Sequence, residues 1–112
     1  MFKLAKKTTV DWPVTVSIPQ DDGRVTKATF SAKFEVIGQR EHDDIVYNAG
    51  GELPRDLLKR VLIGWKGVAT EDGTDKEFND EACAELLDIT YARAALYEAY
   101  GKAANGKGRE KN

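Results

Sequence analysis

Apolar and polar side chains alternate along two stretches near the start of the chain. Apolar residues occupy the even positions of residues 14–18 and 28–36, and polar residues occupy the odd positions between them. This period of two is typical of strands with one buried face. Pro19 ends the first run, and residues 20–23 (Gln-Asp-Asp-Gly) favour a tight turn. The pattern therefore predicts an antiparallel β-hairpin.

A helical stripe follows in the middle of the chain. Pro54 suits the first turn of a helix, where its missing N–H costs nothing. Apolar side chains then recur with helical spacing at Leu57, Leu58, Val61, Leu62 and Trp65. Gly64 and Gly67 flank the tryptophan and are predicted to end this helix. Residues 39–51 are polar apart from the apolar side chains at 45–47, so a short helix and a loop both remain open there.

The longest predicted helix begins at Asn79 and ends near Gly101. Asn79 can cap its N-terminus, and Asp80 and Glu81 suit the positive end of its dipole. Phe78 can pack on the first turn as a hydrophobic staple. One face of this helix is predicted to consist of Cys83, Leu86, Leu87, Thr90, Ala94 and Tyr97.

These elements predict an α+β fold. An N-terminal antiparallel β-hairpin (a small sheet) packs against two to three C-terminal α-helices, because an isolated hairpin is only marginally stable in water. A chain of 112 residues can form one core of its own. We assign residues 1–101 to a single domain and residues 102–112 to a disordered basic tail, since the tail has little to bury.

The net charge of −2 conceals an uneven distribution. Residues 1–11 carry a net charge of +2 and residues 101–112 carry +3, so the stretch between them carries −7. An acidic body does not neutralise phosphates, which argues against nucleic-acid binding. The single cysteine, Cys83, cannot form an internal disulfide and suits a reducing compartment. Because the sequence has no signal-peptide pattern and no apolar run of membrane length, it predicts a cytoplasmic protein.

Candidates for catalysis or metal binding are few. His42 is the only histidine, and in its polar run a solvated side chain is a simpler interpretation than a base or metal ligand. Cys83 is expected to be a small core residue of its helix. The acidic residues from Asp72 onward do not match a calcium loop, because Glu77 and Cys83 occupy the glycine and glutamate positions. No phosphate-binding glycine motif occurs, so we predict no enzymatic activity, cofactor or metal site.

Trp65 has two interpretations. A tryptophan between two glycines can anchor a protein interface, where this residue type is enriched. Alternatively, it fills the seam between the helix and the hairpin. Trp12-Pro13, at the entry to the hairpin, is ambiguous in the same way.

A series of short segments along nearly the whole chain resembles a known family. The segments are, in order, Phe2-Lys3, Trp12-Pro13-Val14, Ile63-Gly64-Trp65-Lys66-Gly67-Val68, Glu71-Asp72-Gly73, Leu86-Leu87-Asp88-Ile89, Ala95-Leu96-Tyr97 and Lys111-Asn112. This order resembles the small tail assembly chaperones of long-tailed bacteriophages and prophages. The Gly-Trp-x-Gly-Val segment and the Lys-Asn end are the most recognisable pieces, and none is a catalytic signature.

The resemblance implies a function in binding other proteins. Such chaperones coat the tape measure protein, help deliver tail tube subunits to it, and are lost from the finished virion. In many of these phages a programmed ribosomal frameshift adds a second domain to some chains, and the tail after Gly101 is a suitable junction. The alternative is another small phage morphogenesis protein, a head–tail connector or tail completion protein, which stays in the virion.

A helical, hydrophobic client requires an apolar groove, and weak contacts suffice when many copies bind one client. We predict that the client-contacting apolar side chains are Leu62, Trp65, Tyr97 and Tyr100. The acidic side chains expected to keep the free protein soluble, or to steer a basic partner, are Asp72, Asp75, Glu77 and Asp80. Self-association is left open.

Overall fold

A computed structural model of the chain describes residues 1–48, 50 and 52–108. The last four residues of the predicted tail lie outside this part. The strands are β1 (Thr8–Pro19), β2 (Val25–Val36) and β3 (Leu62–Lys66). The α-helices are α1 (Gln39–Asn48), α2 (Leu53–Val61), α3 (Asp80–Leu87) and α4 (Thr90–Ala104). The fold is α+β with an N-terminal hairpin, as the sequence pattern predicts.

The hairpin of β1 and β2 forms the main part of the sheet. The two strands pair in one continuous antiparallel register, from Thr8 opposite Val36 to Pro19 opposite Val25. Asp22 and Gly23 both adopt positive φ values, 62° and 74°, in the short 3₁₀ turn between the strands. An Asp-Gly pair suits this turn, because glycine takes positive φ without steric cost and aspartate tolerates it better than most residues.

The core lies between one face of this sheet and the helices. The buried strand residues Val14, Val16, Ala32 and Phe34 all occupy even positions, so the predicted alternation is confirmed. The opposite face carries exposed polar side chains such as Thr15 and Lys33. Helix residues complete the core: Leu57, Leu58, Val61, Cys83, Leu87, Ala92, Leu96, Ala99 and Tyr100. Helix α4 packs mainly on β1, close to the edge of the sheet.

The prediction of the middle helix is wrong beyond Val61. Helix α2 ends at Val61, and residues 62–66 form β3 beside β2. A bulge between Lys33 and Phe34 shifts the register, so that Leu62 and Trp65 come to lie on the same face of the sheet. An irregular strand thus reproduces the three-residue spacing of a helix, which explains the error.

The predicted long helix is two helices, separated at Asp88 and Ile89. Asn79 does cap α3, since its side-chain oxygen accepts a hydrogen bond from the Ala82 N–H at 2.8 Å. The interruption changes the rotational phase of the second helix. Its buried side is therefore formed by Ala92, Leu96, Ala99 and Tyr100, whereas the predicted Thr90, Ala94 and Tyr97 are exposed.

The structure corrects the end of the last helix and settles the secondary structure of residues 39–48. Helix α4 ends at Ala104, three residues beyond the predicted end at Gly101, and the side chain of Ala103 packs against the core. Residues 39–48, for which a helix and a loop were both open, form α1. No residue of α1 is fully buried, and Ile45 is the side chain that packs against the core.

Helix α1 is also held by charge. The Arg60 guanidinium on α2 bonds to Glu35 of β2 at 2.7 Å and to Glu41 of α1 at 2.5 Å. The hydrogen bond from Arg60 lowers the pKa of Glu35, despite a smaller opposing effect of desolvation. The two carboxylates in turn raise the pKa of Arg60. This side chain therefore ties together the sheet and both of these helices.

Candidate protein-binding surface

Residues 67–79, between β3 and α3, fold around Asp72. Ala69 forms a single antiparallel bridge with Asp75, and the Thr70 N–H donates to the Thr74 carbonyl at 2.8 Å. A side-chain oxygen of Asp72 accepts hydrogen bonds from the Thr70 hydroxyl and from the Thr74 N–H, the latter at 3.0 Å. These bonds, the Thr70 bond foremost, lower the pKa of Asp72 to about 2. Asp72 therefore has a structural role in this loop, beyond its contribution of charge.

Trp65 connects this loop to the sheet. Its indole Nε1–H donates to the Lys76 carbonyl at 2.7 Å, and its ring meets Phe78 edge to face with centroids 4.8 Å apart. The side chain is half-buried and packs against the core. Trp65 thus lies at a seam, as one of the two interpretations states, but the seam joins loop and sheet rather than helix and hairpin. Trp12 is likewise half-buried against the core.

Two of the four predicted contact residues belong to the core. Leu62 is 2% exposed and Tyr100 is 4% exposed. Leu62 lies opposite Phe34 in the sheet register, and Tyr100 meets the same ring edge to face at 5.4 Å. The Tyr100 hydroxyl accepts a hydrogen bond from the Ile37 N–H at 3.2 Å. As folded, neither side chain is available to a partner, which corrects the predicted surface.

The exposed side of α4 carries a different aromatic pair. Tyr97 is 39% exposed and Tyr91 is 40% exposed, with the exposed Ala94 three residues from each. Residues at this spacing are neighbours on a helix surface, so the three form a continuous strip. We call Tyr91, Ala94 and Tyr97 the tyrosine strip. The sequence pattern does not indicate Tyr91, because it predicts the buried face of this helix in the wrong rotational phase.

The predicted acidic residues are all exposed. Asp72, Asp75 and Glu77 lie in the loop beside Trp65, and Asp80 begins α3. The basic side chain within this group, Lys76, is directed to Glu85 of α3 at 3.7 Å. The loop and the start of α3 therefore present a negatively charged surface, as the sequence analysis expects.

The side chains considered for catalysis or metal binding are Cys83 and His42. Cys83 is buried, and burial raises the pKa of its thiol, which suits the predicted core role. His42 is only partly exposed, with its Nδ1 3.9 Å from Asp43, so it is less solvated than expected. Within residues 1–48, 50 and 52–108, no three side chains of His, Cys, Asp or Glu are placed to hold a metal ion. None of the helices in the same part of the chain is both long and apolar enough to cross a membrane.

Comparison with known proteins found no matching family, no matching curated protein and no matching solved structure.

Proposed function

We propose that this protein is a phage tail assembly chaperone, which binds the tape measure protein and helps recruit tail tube subunits in the bacterial cytoplasm. The sequence resemblance supports this specific assignment. The tyrosine strip supports the more general function of protein binding, and it is the structural observation on which the proposal rests.

The tyrosine strip has the composition of a binding surface. Tyrosine is enriched in protein interfaces, because its ring offers a large apolar area and its hydroxyl a hydrogen bond. Tyr91 and Tyr97 keep about two-fifths of their surface exposed, although other aromatic side chains nearby, such as Tyr100, are buried. Ala94 between them leaves room for a close approach. An amphipathic helix of the client can pack along such a strip.

Asp72, Asp75, Glu77 and Asp80, which we call the acidic loop, add negative charge to the proposed binding surface. Asp75, Glu77 and Asp80 are exposed, so they attract basic segments over a distance of about 10 Å at moderate salt. Charge of this kind raises the association rate more than the final affinity. We therefore propose that α4 contacts the client and that the acidic loop steers basic segments of the client toward the protein. Trp65 holds the loop in place, and it contributes to binding through this support.

The proposal is tested by co-expressing the chain with the tape measure protein encoded nearest downstream. We expect a soluble complex that contains several copies of the chain for each client. Tyr97→Glu places a charge on the tyrosine strip and should reduce the recovered complex by about tenfold or more. Tyr47→Glu is the matched control, because Tyr47 is a highly exposed tyrosine on a different helix, α1.

Three outcomes contradict the proposal. The client stays insoluble and unbound, both variants lose binding equally, or Tyr97→Glu binds as well as the original chain.

Mass spectrometry of purified phage particles distinguishes the chaperone from the alternative morphogenesis proteins. A chaperone is absent from the finished virion, whereas a head–tail connector or tail completion protein remains in it.

A further inference from the structure

Helix α4 and the outer edge of β1 enclose a groove of about 700 Å³. We call it the edge groove. Its lining includes Asp11, Pro13 and Thr15 of β1 and Ala95, Glu98 and Ala99 of α4. One wall is thus formed by β1 together with Thr29 of β2. The other is formed by α4, which contributes small side chains at Ala95 and Ala99 and charged ones at Glu98 and Lys102, and Gly108 beyond α4 also lines the groove.

The backbone of β1 has hydrogen-bonding capacity along this groove. The sheet order is β1-β2-β3, so within residues 1–48, 50 and 52–108 β1 pairs with β2 on one side and has no strand on the other. At the end of the hairpin the Gln20 N–H donates to the Arg24 carbonyl at 2.8 Å. Because such bonds alternate along an antiparallel pair, even-numbered residues of β1 bond to β2 and odd-numbered residues point to the free edge. Pro13 and Pro19, which lack an N–H, both have odd numbers.

Several N–H groups therefore remain at the edge for a further strand to use. They belong to Thr9, Asp11, Thr15 and Ser17. The carbonyls of the same residues, with that of Pro13, point the same way. An added strand that enters the edge groove can pair with most of this edge.

Residues 1–7 have the side chains that fit such a site. Phe2 is 87% exposed and Leu4 is 92% exposed, so both apolar side chains lie in water. In an extended backbone, residues two apart share one face, and Lys3 between them lies on the other. Burial of these two side chains against another surface would remove apolar area from water and is therefore favourable.

We propose that residues 1–5 of one copy add as a strand to the β1 edge of a second copy, within its edge groove. Phe2 and Leu4 then face α4 of the second copy, where Ala95 and Ala99 leave space for large side chains. Lys3 lies on the opposite face of the added strand, toward Asp11. Main-chain hydrogen bonds supply affinity in this kind of recognition, and alternate side chains supply specificity.

Charge favours the same arrangement. Residues 1–7 contain three lysines and no acidic residue. Among the described residues that line the edge groove, Asp11 and Glu98 are acidic and Lys102 is basic, with Lys102 paired to Glu98 at 3.3 Å. The segment and the groove are therefore of opposite sign, which favours their association.

The segment is better placed to reach another copy than its own edge groove. Residues 5–9 (Ala-Lys-Lys-Thr-Thr) contain no Gly, Pro, Asn or Asp, the residues that reverse a chain tightly. Strand β1 begins at Thr8, so a return to Asp11 requires a sharp reversal at these positions. In a second copy no reversal is needed. The contact is heterologous, because it joins two different surfaces.

Sedimentation velocity over a range of concentrations tests the proposal. A stable interface buries about 1,200 Å² or more, and a five-residue strand buries less. We therefore expect weak association that is detected only at high protein concentration. Deletion of residues 1–5 removes the donor segment. The double variant Asp11→Lys/Glu98→Arg reverses the charge of the edge groove and leaves the segment intact. We expect the deletion to abolish association and the double variant to weaken it by about tenfold or more.

A mixture of these two variants restores one contact, because the double variant can still donate its segment to the unaltered groove of the deletion variant. We expect a 1:1 complex and nothing larger. The matched control is Asp44→Lys/Glu52→Arg, which changes the net charge equally and breaks the comparable ion pair of Glu52 with Arg55. It should associate like the original chain.

The proposal is overturned if the original chain is monomeric at every concentration, which includes the case of a segment docked on its own groove. It is equally overturned if the deletion variant still self-associates, if the mixture forms no complex, or if the control variant loses association too. Circular dichroism of each variant verifies that the fold is retained.

Discussion

Substitution of Tyr100 by phenylalanine isolates one buried hydrogen bond. The Tyr100 hydroxyl accepts the Ile37 N–H at 3.2 Å, across 63 residues of sequence. Phenylalanine keeps the ring that meets Phe34 edge to face at 5.4 Å, so packing changes little. A hydrogen bond contributes about 0.5–1.5 kcal/mol net, and a buried donor left without a partner costs about 1–3 kcal/mol. Because Ile37 is only half-buried, we expect the lower part of this range, a loss of about 1–2 kcal/mol.

Urea unfolding followed by circular dichroism measures this loss. The midpoint should fall while the dependence on urea concentration stays constant, because the surface exposed on unfolding is unchanged. The melting temperature should fall by about 5–10 °C for a domain of this size. Tyr97→Phe is the control, since Tyr97 is 39% exposed and its hydroxyl loss should cost less than about 0.5 kcal/mol. Equal stability of the two variants would refute the hydrogen bond between the Ile37 N–H and the Tyr100 hydroxyl.

Three further changes test the remaining structural assignments. Asn79→Ala removes the cap of α3 and should lower the free energy of unfolding by about 1 kcal/mol in urea titration, whereas Asn79→Gly should lose only a few tenths. Trp65→Phe removes the bond to the Lys76 carbonyl, so amide hydrogen exchange should accelerate in residues 67–79 and stay slow in β2; uniform exchange in both would contradict the role of Trp65. The lowered pKa of Glu35 means that its pairing with Arg60 stabilises the fold above the ordinary value of 4.5 and that this contribution is lost as the pH falls through the folded-state pKa. Glu35→Gln should therefore reduce the loss of stability between neutral and acidic pH, and an unchanged pH profile would count against the pair.

The hairpin illustrates what local sequence determines. Its strands carry a period-two pattern in which Val14, Val16, Ala32 and Phe34 are buried, and its turn contains the Asp-Gly pair that tolerates positive φ. Both signals come from residues that are adjacent in sequence. For the same reason the cap at Asn79 could be identified before any tertiary contact was known.

The candidate surface shows what local sequence leaves undetermined. Leu62, Trp65, Tyr97 and Tyr100 are predicted from the sequence to form one client-contacting surface on two helices. The structure leaves few of them exposed, because β3 places Leu62 and Trp65 on the core face of the sheet and the interruption near Asp88 rotates α4. Tyr97 consequently remains exposed while Leu62 and Tyr100 are buried around Phe34.

The sequence by itself determined the α+β class, the hairpin and its buried face, the capped start of α3, and the exposed acidic loop. Each of these follows from the spacing of neighbouring residues or from the conformational limits of a single residue. Only the tertiary structure decided that residues 62–66 pair as a third strand, where α4 begins and which of its sides is buried. Those outcomes depend on contacts with β2 and with the core face of the sheet, which lie far away in the sequence. A pattern of neighbouring residues does not reveal such long-range contacts.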